Sequence, residues 1–126
     1  MKTMTVQEFH EALKGQGVPE RADLAFVCPM CGTVQSARDL IAAGAGLDFA
    51  GVERFLAFSC VGRWTDAGPP RRQLDGRPCN WTLGGLLSLH RLEVVDADGV
   101  RHPRFDLATP EQAQAHARAF AERLGA

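Results

Sequence analysis

Apolar residues recur at helical spacing near both ends of the chain and in short strand-like runs between them. Val6, Phe9 and Leu13 lie on one helix face, Thr5 and Glu8 make a capping box, and Gly15 and Gly17 end the element. A helix is therefore predicted over roughly Val6–Lys14. The C-terminal segment carries the clearest helical pattern. Thr109 caps it, Pro110 occupies the first turn, and Gln112 completes the box. Ala113, Ala117, Phe120 and Leu124 form the apolar stripe, Glu111, Arg118, Glu122 and Arg123 face water, and Gly125 ends it.

Between these helices, Leu24–Val27 reads as a strand entering Cys28. Ser36 caps a short helix through Ile41 to Ala43, and Asp48 caps a further turn through Val52 and Arg54. Phe55–Val61 and Trp81–Leu87 read as strands, the second with a kink or bulge at Gly84-Gly85. Leu89–Val95 and Val100–Leu107 flank Asp96-Ala97-Asp98-Gly99, a hairpin signal. Gly62–Pro78 holds three prolines and three glycines and reads as one long irregular loop. The expected architecture is α+β: a small, mainly antiparallel sheet with helices at both ends.

With 126 residues, the chain fits a single domain, 1–126, that buries roughly two-thirds of its unfolded surface. A hydrophobic fraction of 45% excludes a largely disordered chain. A net charge of −1 supplies no global field toward nucleic acid or anionic membranes. No apolar run reaches the length of about 18 residues needed for a membrane span. Glu8, His10, Glu11 and Lys14 interrupt the N-terminal segment, which argues against a signal peptide. A reducing cytoplasmic setting is therefore expected, where clustered cysteines serve metals or redox chemistry more often than disulfides.

Cys28-Pro29-Met30-Cys31-Gly32 is the sharpest chemical motif. Two residues between cysteines let both sulfurs face one metal from a tight turn, and Gly32 lets the backbone curl beneath them. This is the knuckle of zinc-ribbon-like sites. Cys60 and Cys79 are the two other cysteines and complete a four-thiolate set for a structural zinc ion. Three alternatives stand beside it: His90 replacing Cys79, a thioredoxin-like dithiol at Cys28 and Cys31, and four unliganded thiols packed as small hydrophobes.

Arg63, Trp64, Arg71, Arg72, Arg77 and Trp81 concentrate cations and both tryptophans around the irregular loop. Such residues suit a protein interface or a nucleic-acid surface. The plainer alternative is a solvated loop with local ion pairs and Trp81 in the core. His10 and His116 read as ordinary surface groups, while His90 and His102 fall on adjacent hairpin strands and could meet. Ser36, Ser59 and Ser88 lack a nucleophile-elbow context, and no phosphate-binding loop is present. The sequence thus leans away from an enzyme.

Four segments, Cys28–Ser36, Phe58–Arg63, Cys79–Leu86 and His102–Phe105, together resemble a small, functionally uncharacterised family encoded by phages and proteobacterial prophages. The resemblance runs from Thr5 to about His116 and includes all four cysteines. It implies a mobile-element origin, and by analogy a binding or regulatory role toward a host protein, including inhibition of a host defence. Two alternatives are a nucleic-acid-binding zinc protein and an enzyme using Cys28/Cys31 redox chemistry or the His90/His102 pair. The expected contact surface is the Gly62–Pro78 loop and its arginines.

Overall fold

The computed structural model describes residues 1–84 and 89–125. The chain enters through strand β1 (Lys2–Thr5) and turns directly into helix α1 (Val6–Lys14). The predicted capping box holds that start: the Thr5 hydroxyl accepts the Glu8 amide at 3.1 Å, and the Glu8 carboxylate accepts the Thr5 amide at 2.9 Å. After a short helical turn at Arg21–Asp23 come β2 (Ala25–Val27), β3 (Val34–Ser36), α2 (Ala37–Ala42) and α3 (Phe49–Val52). Asp48 caps α3 by accepting the Gly51 amide at 2.9 Å. The second half holds β4 (Leu92–Val95), β5 (Arg101–Arg104), β6 (Asp106–Leu107) and α4 (Pro110–Gly125). Thr109 and Gln112 cap α4 reciprocally at 2.9 and 3.1 Å.

These strands build two three-stranded sheets, in the orders β1-β4-β5 and β3-β2-β6. All pairings are antiparallel except β1 with β4, which is parallel from Lys2↔Leu92 to Thr5↔Val95. The fold is α+β, as expected, with the sheet divided in two. Strand β1 is an addition to the expected elements. Its sequence, Lys-Thr-Met-Thr, is mostly exposed and shows no apolar face, so it pairs through backbone groups offered by β4 rather than through a hydrophobic pattern. The β4–β5 hairpin falls where predicted. Asp96 accepts the Asp98 and Val100 amides at 2.9 and 3.0 Å, and Gly99 takes the positive φ of +80° that the turn needs.

Two expected strands are different in the structure. Phe55–Val61 is a chain of tight turns: the Phe55 carbonyl accepts the amides of both Phe58 and Ser59, and Ala57 adopts a φ of +57°. Its aromatic residues satisfy the core from a turn, so strand-like composition did not require a strand. Of Trp81–Leu87, the described part supplies only the isolated bridge Ser59↔Thr82 and a turn at Leu83–Gly84. Residues 85–88, including Gly85 of the expected kink and Ser88, lie outside the described residues.

Phe105, fully buried between β5 and β6, is where the chain passes from one sheet to the other. Its amide donates to the Ala57 carbonyl at 2.7 Å, and Trp81 stacks on its ring at 5.8 Å. The main core gathers Phe26, Leu40, Val52, Leu83 and Phe105 around the four cysteines. Helix α1 adds Phe9, which stacks on Phe26 at 6.4 Å. A smaller cluster, Ala25, Ala108 and Ala113, seats α4 on β2. On α4 the apolar stripe holds at Ala113 but runs out to solvent at Leu124.

Beside that cluster sits Gln16, 1% exposed. Its amide nitrogen donates to the carbonyls of Ala25 and Ala108 at 2.9 and 3.0 Å, and its oxygen accepts the Ala25 amide at 2.9 Å. Gln114 of α4 in turn donates to the Gln16 carbonyl at 2.8 Å. One side chain thus fastens the end of the first helical unit to β2 and to the start of α4. Replacing it by an apolar isostere deprives the buried Ala25 amide and Ala108 carbonyl of this partner. Gln16→Leu is expected to destabilise the fold by about 2–4 kcal/mol, measured by urea unfolding. A loss under about 0.5 kcal/mol would show that the bracket is dispensable.

Candidate metal centre

Strand β2 delivers Cys28 into a turn that returns as β3. The turn closes through Gly32 N–H to Cys28 O at 2.8 Å and Cys28 N–H to Thr33 O at 3.1 Å. Gly32 adopts a φ of +77°, and the Leu74 backbone packs where a side chain would begin. Cys31 therefore faces back toward Cys28 from across the knuckle. Its carbonyl accepts the Gly76 amide at 2.9 Å, which ties the irregular loop to the turn.

Cys60 and Cys79 come from turns and loop, where strand edges were expected. Cys60 precedes the helical turn Val61–Trp64, and its amide donates to Trp81 O at 2.9 Å. Cys79 lies against Gly62, which is buried. A Cβ on Gly62 would overlap the Cys79 carbonyl oxygen and approach the Ala67 Cβ to 2.8 Å. This close approach of two backbones brings the Cys60 and Cys79 segments together.

All four sulfurs lie within 4.8 Å of one another, and all four cysteines are buried. Cys28 and Cys79 are 3.9 Å apart, Cys31 and Cys60 3.8 Å. None forms a disulfide. The arrangement can bind a metal ion through four sulfur ligands. His90 is not among them: it pairs with Glu93 at 3.2 Å.

Without a cation, the cluster resists carrying several negative charges. Burial pushes the Cys79 thiol up to about 12, against a backbone hydrogen bond from Trp81. Hydrogen bonding with Cys31 and Cys60, and then burial, raises Cys28. Cys31 is drawn down, because Cys28, Cys60 and the Thr33 hydroxyl can all donate to it. A divalent cation reverses this balance by stabilising all four thiolates at once.

Two residues around the sulfurs were not singled out by sequence reasoning. The Thr33 hydroxyl lies 3.0 Å from Cys31 Sγ. Gln35, buried in β3, points its amide nitrogen at Cys60 Sγ at 3.5 Å and accepts the Val61 amide at 2.8 Å. The signal available was their period-2 spacing after Cys31: both side chains are buried, whereas Val34 between them is half-exposed.

The loop arginines are exposed, but two are spoken for. Asp75 holds Arg77 at 2.9 Å and Arg71 at 3.3 Å, and these partners, the Arg77 amide first, keep its carboxyl below the usual range. Arg63 donates to the Asn80 carbonyl at 3.1 Å, and Trp64 packs on Phe55 at 4.7 Å. Arg72 adopts a φ of +60° at the loop surface. His102 binds Asp96 at 2.9 Å and His90 binds Glu93, so the alternative of a His90/His102 pair gives way to two separate histidine–carboxylate contacts. His10 is exposed, as expected. His116 is not an ordinary surface group: it binds Asp39 at 2.6 Å, joining α4 to α2. Burial works against the Asp39 charge, but His116 and the Ser36 amide and hydroxyl outweigh it and lower its pKa.

Fold and site together define a small α+β domain organised around a buried four-cysteine centre capable of metal binding. A family model described as VVA0879-like matches residues 5–108, and the chain belongs to this family. No curated protein and no solved structure is significantly similar to it.

Two predictions follow from this geometry. Gly62→Ala should displace Cys79 and lower stability by about 3 kcal/mol or more, with reduced metal retention, whereas Gly68→Ala, which meets open space, should stay within about 0.5 kcal/mol. Equal behaviour of the two variants would show that the close approach at Gly62 is not limiting. A depressed carboxyl contributes stability above its unfolded pKa, and the contribution disappears as pH falls through the folded value. Asp39→Asn should therefore cost about 1–3 kcal/mol at neutral pH, and the difference from wild type should shrink below about pH 4. A difference that is flat with pH would count against the His116 contact as its source.

Proposed function

We propose that the chain is a zinc-stabilised binding protein whose single metal ion is structural. The observation that carries this reading is the sulfur geometry. Four ligands at a zinc–sulfur distance of about 2.3 Å from a tetrahedral centre lie about 3.8 Å apart. Cys28–Cys79 and Cys31–Cys60 stand at 3.9 and 3.8 Å, as two opposite edges of such a tetrahedron would. Four thiolates favour a soft, tetrahedral ion, zinc foremost. They also fill every coordination position, which favours a structural role over metal-assisted hydrolysis and leaves no dithiol at Cys28 and Cys31 for redox exchange.

The centre would close the Gly62–Pro78 loop at both ends and hold it as a recognition surface of Arg63, Trp64, Arg71, Arg72 and Arg77. Leu74, 65% exposed, sits on the same loop. Asp75 pairs with two of its arginines and offsets one of their charges, which favours a mixed protein interface over a phosphate-tracking groove. In line with the phage and prophage resemblance, the partner is read as a cytoplasmic host protein, including a host-defence factor. Nucleic acid is the second reading, supported by the exposed Arg63 and Arg72.

Metal analysis of protein purified without chelator tests the foundation. About one zinc per chain is expected, with metal and cooperative folding lost in Cys60→Ser and in Cys79→Ser; a metal-free wild type that folds cooperatively would refute it. For the surface, the Arg63→Glu/Arg72→Glu double variant should keep its zinc and lose a host partner captured by wild type. Binding of DNA or RNA that weakens steeply with salt, and is lost in the same variant, would instead establish the second reading.

A further inference from the structure

A groove of about 370 Å³ runs between α1 and α3, walled by Phe9, Leu13, Leu24, Phe26, Phe49 and Leu56. It continues past Arg104 into a hollow of about 220 Å³ that shares Phe9, His10 and Arg104. We propose that this groove binds a small amphiphilic carboxylate, its charged end on Arg104 and its apolar body against the phenylalanine walls.

Arg104 is the reason for the charge. It ends β5 half-buried, with the Phe58 ring at 5.9 Å and one donor spent on the Pro103 carbonyl at 2.7 Å. No carboxylate pairs with it among the described residues. Burial lowers its pKa, the signature of a guanidinium losing water without gaining a counter-ion. Arg21 also lines the groove; it stacks on Phe49 at 4.0 Å and lacks an ion pair among the described residues. Glu53 is the one acid lining the groove itself; Asp96 lines the adjoining hollow, where it is engaged by His102, and exposed His10 lies on the wall that both share. Within the groove, with Asp96 engaged by His102 beyond it, two guanidiniums against the Glu53 carboxylate leave room for a monoanion and favour it over a phosphate dianion. A planar carboxylate also matches the remaining fork of Arg104. The volume is within the range of small-molecule sites, and apolar walls with a single placed charge are their usual make-up.

The test is calorimetric titration of the intact chain with octanoate below its micellar concentration, with octanamide and acetate as controls. Octanoate should bind at one site, and each control at least about tenfold more weakly, since one lacks the charge and the other the tail. Arg104→Gln should weaken octanoate about tenfold or more, with the circular dichroism spectrum unchanged. Glu53→Gln should tighten it several-fold by removing the opposing charge. No octanoate binding to wild type, equal binding of octanamide or acetate, or unchanged affinity in Arg104→Gln would overturn the proposal. If Arg104→Gln does not fold, Glu53→Gln decides, and unchanged or weakened affinity there overturns it. Neither result bears on the zinc reading, because the groove contains none of the four cysteines.

Discussion

Four sulfur atoms packed within 4.8 Å of one another, each on a buried cysteine, suit thiols poorly and thiolates around a cation well. As thiols they offer weak hydrogen bonds and leave a core that any small apolar residue would fill as effectively. As thiolates without a cation they repel one another in a medium that screens little. The opposed pKa directions at Cys28 and Cys31 express that conflict: one sulfur can hold charge only while its neighbours keep their protons. A shared cation is the arrangement that lets every group around the sulfurs act in the same direction.

Much of the surrounding structure depends on this point. The knuckle joins β2 to β3, the Cys60 turn follows the aromatic segment from Phe55, and Cys79 closes the irregular loop. The elements near it are short: strands of two to four residues and helical turns of three or four. Such pieces bury too little area to hold one another in register by packing alone. Phe105 and the Gln16 bracket assemble the sheets and α4 around the same region, but neither fixes the loop from Arg63 to Pro78. That loop is held by the Gly76–Cys31 and Asn80–Gly68 backbone contacts and by the Gly62–Cys79 approach, which all lie at or near the cysteines.

What could be read in the sequence divides along the same line. Capped helices were legible because their signals are local: Thr5 with Glu8, Asp48 with Gly51, Thr109 with Gln112. The β4–β5 hairpin was legible through its Asp-Ala-Asp-Gly turn, and the metal set through the Cys28/Cys31 spacing. The strand expected at Phe55–Val61 was misread because apolar aromatic composition reports burial, and a turn packed against Phe105 buries such residues as well as a strand does. Of Trp81–Leu87, residues 81–84 form a bridge and a turn, and the rest lies outside the described residues. Strand β1 was missed for the opposite reason, since a parallel edge paired to a distant segment leaves no local trace. Thr33 and Gln35 were hidden because a buried polar residue in a strand looks like an exposed one until its partner sulfur is located.

The histidines carry the argument one step further. His90, His102 and His116 each meet a carboxylate, on Glu93, Asp96 and Asp39 respectively, and none meets a sulfur. Imidazole is a good ligand for the same ions as thiolate, so a site open to it would compete for metal. Instead the imidazoles are engaged at the ends of β4 and β5 and between α2 and α4. The separation leaves the cysteines as a homogeneous sulfur set, whose softness suits a soft metal ion. It also places the groove at Arg104 in a different chemical neighbourhood, with a cation that lacks a partner among the described residues and walls that lack sulfur. One chain thus sets a buried cluster of four sulfurs apart from an open groove whose arginine charge lacks a partner among the described residues, and the groove has the physical attributes of a site that ligands enter and leave.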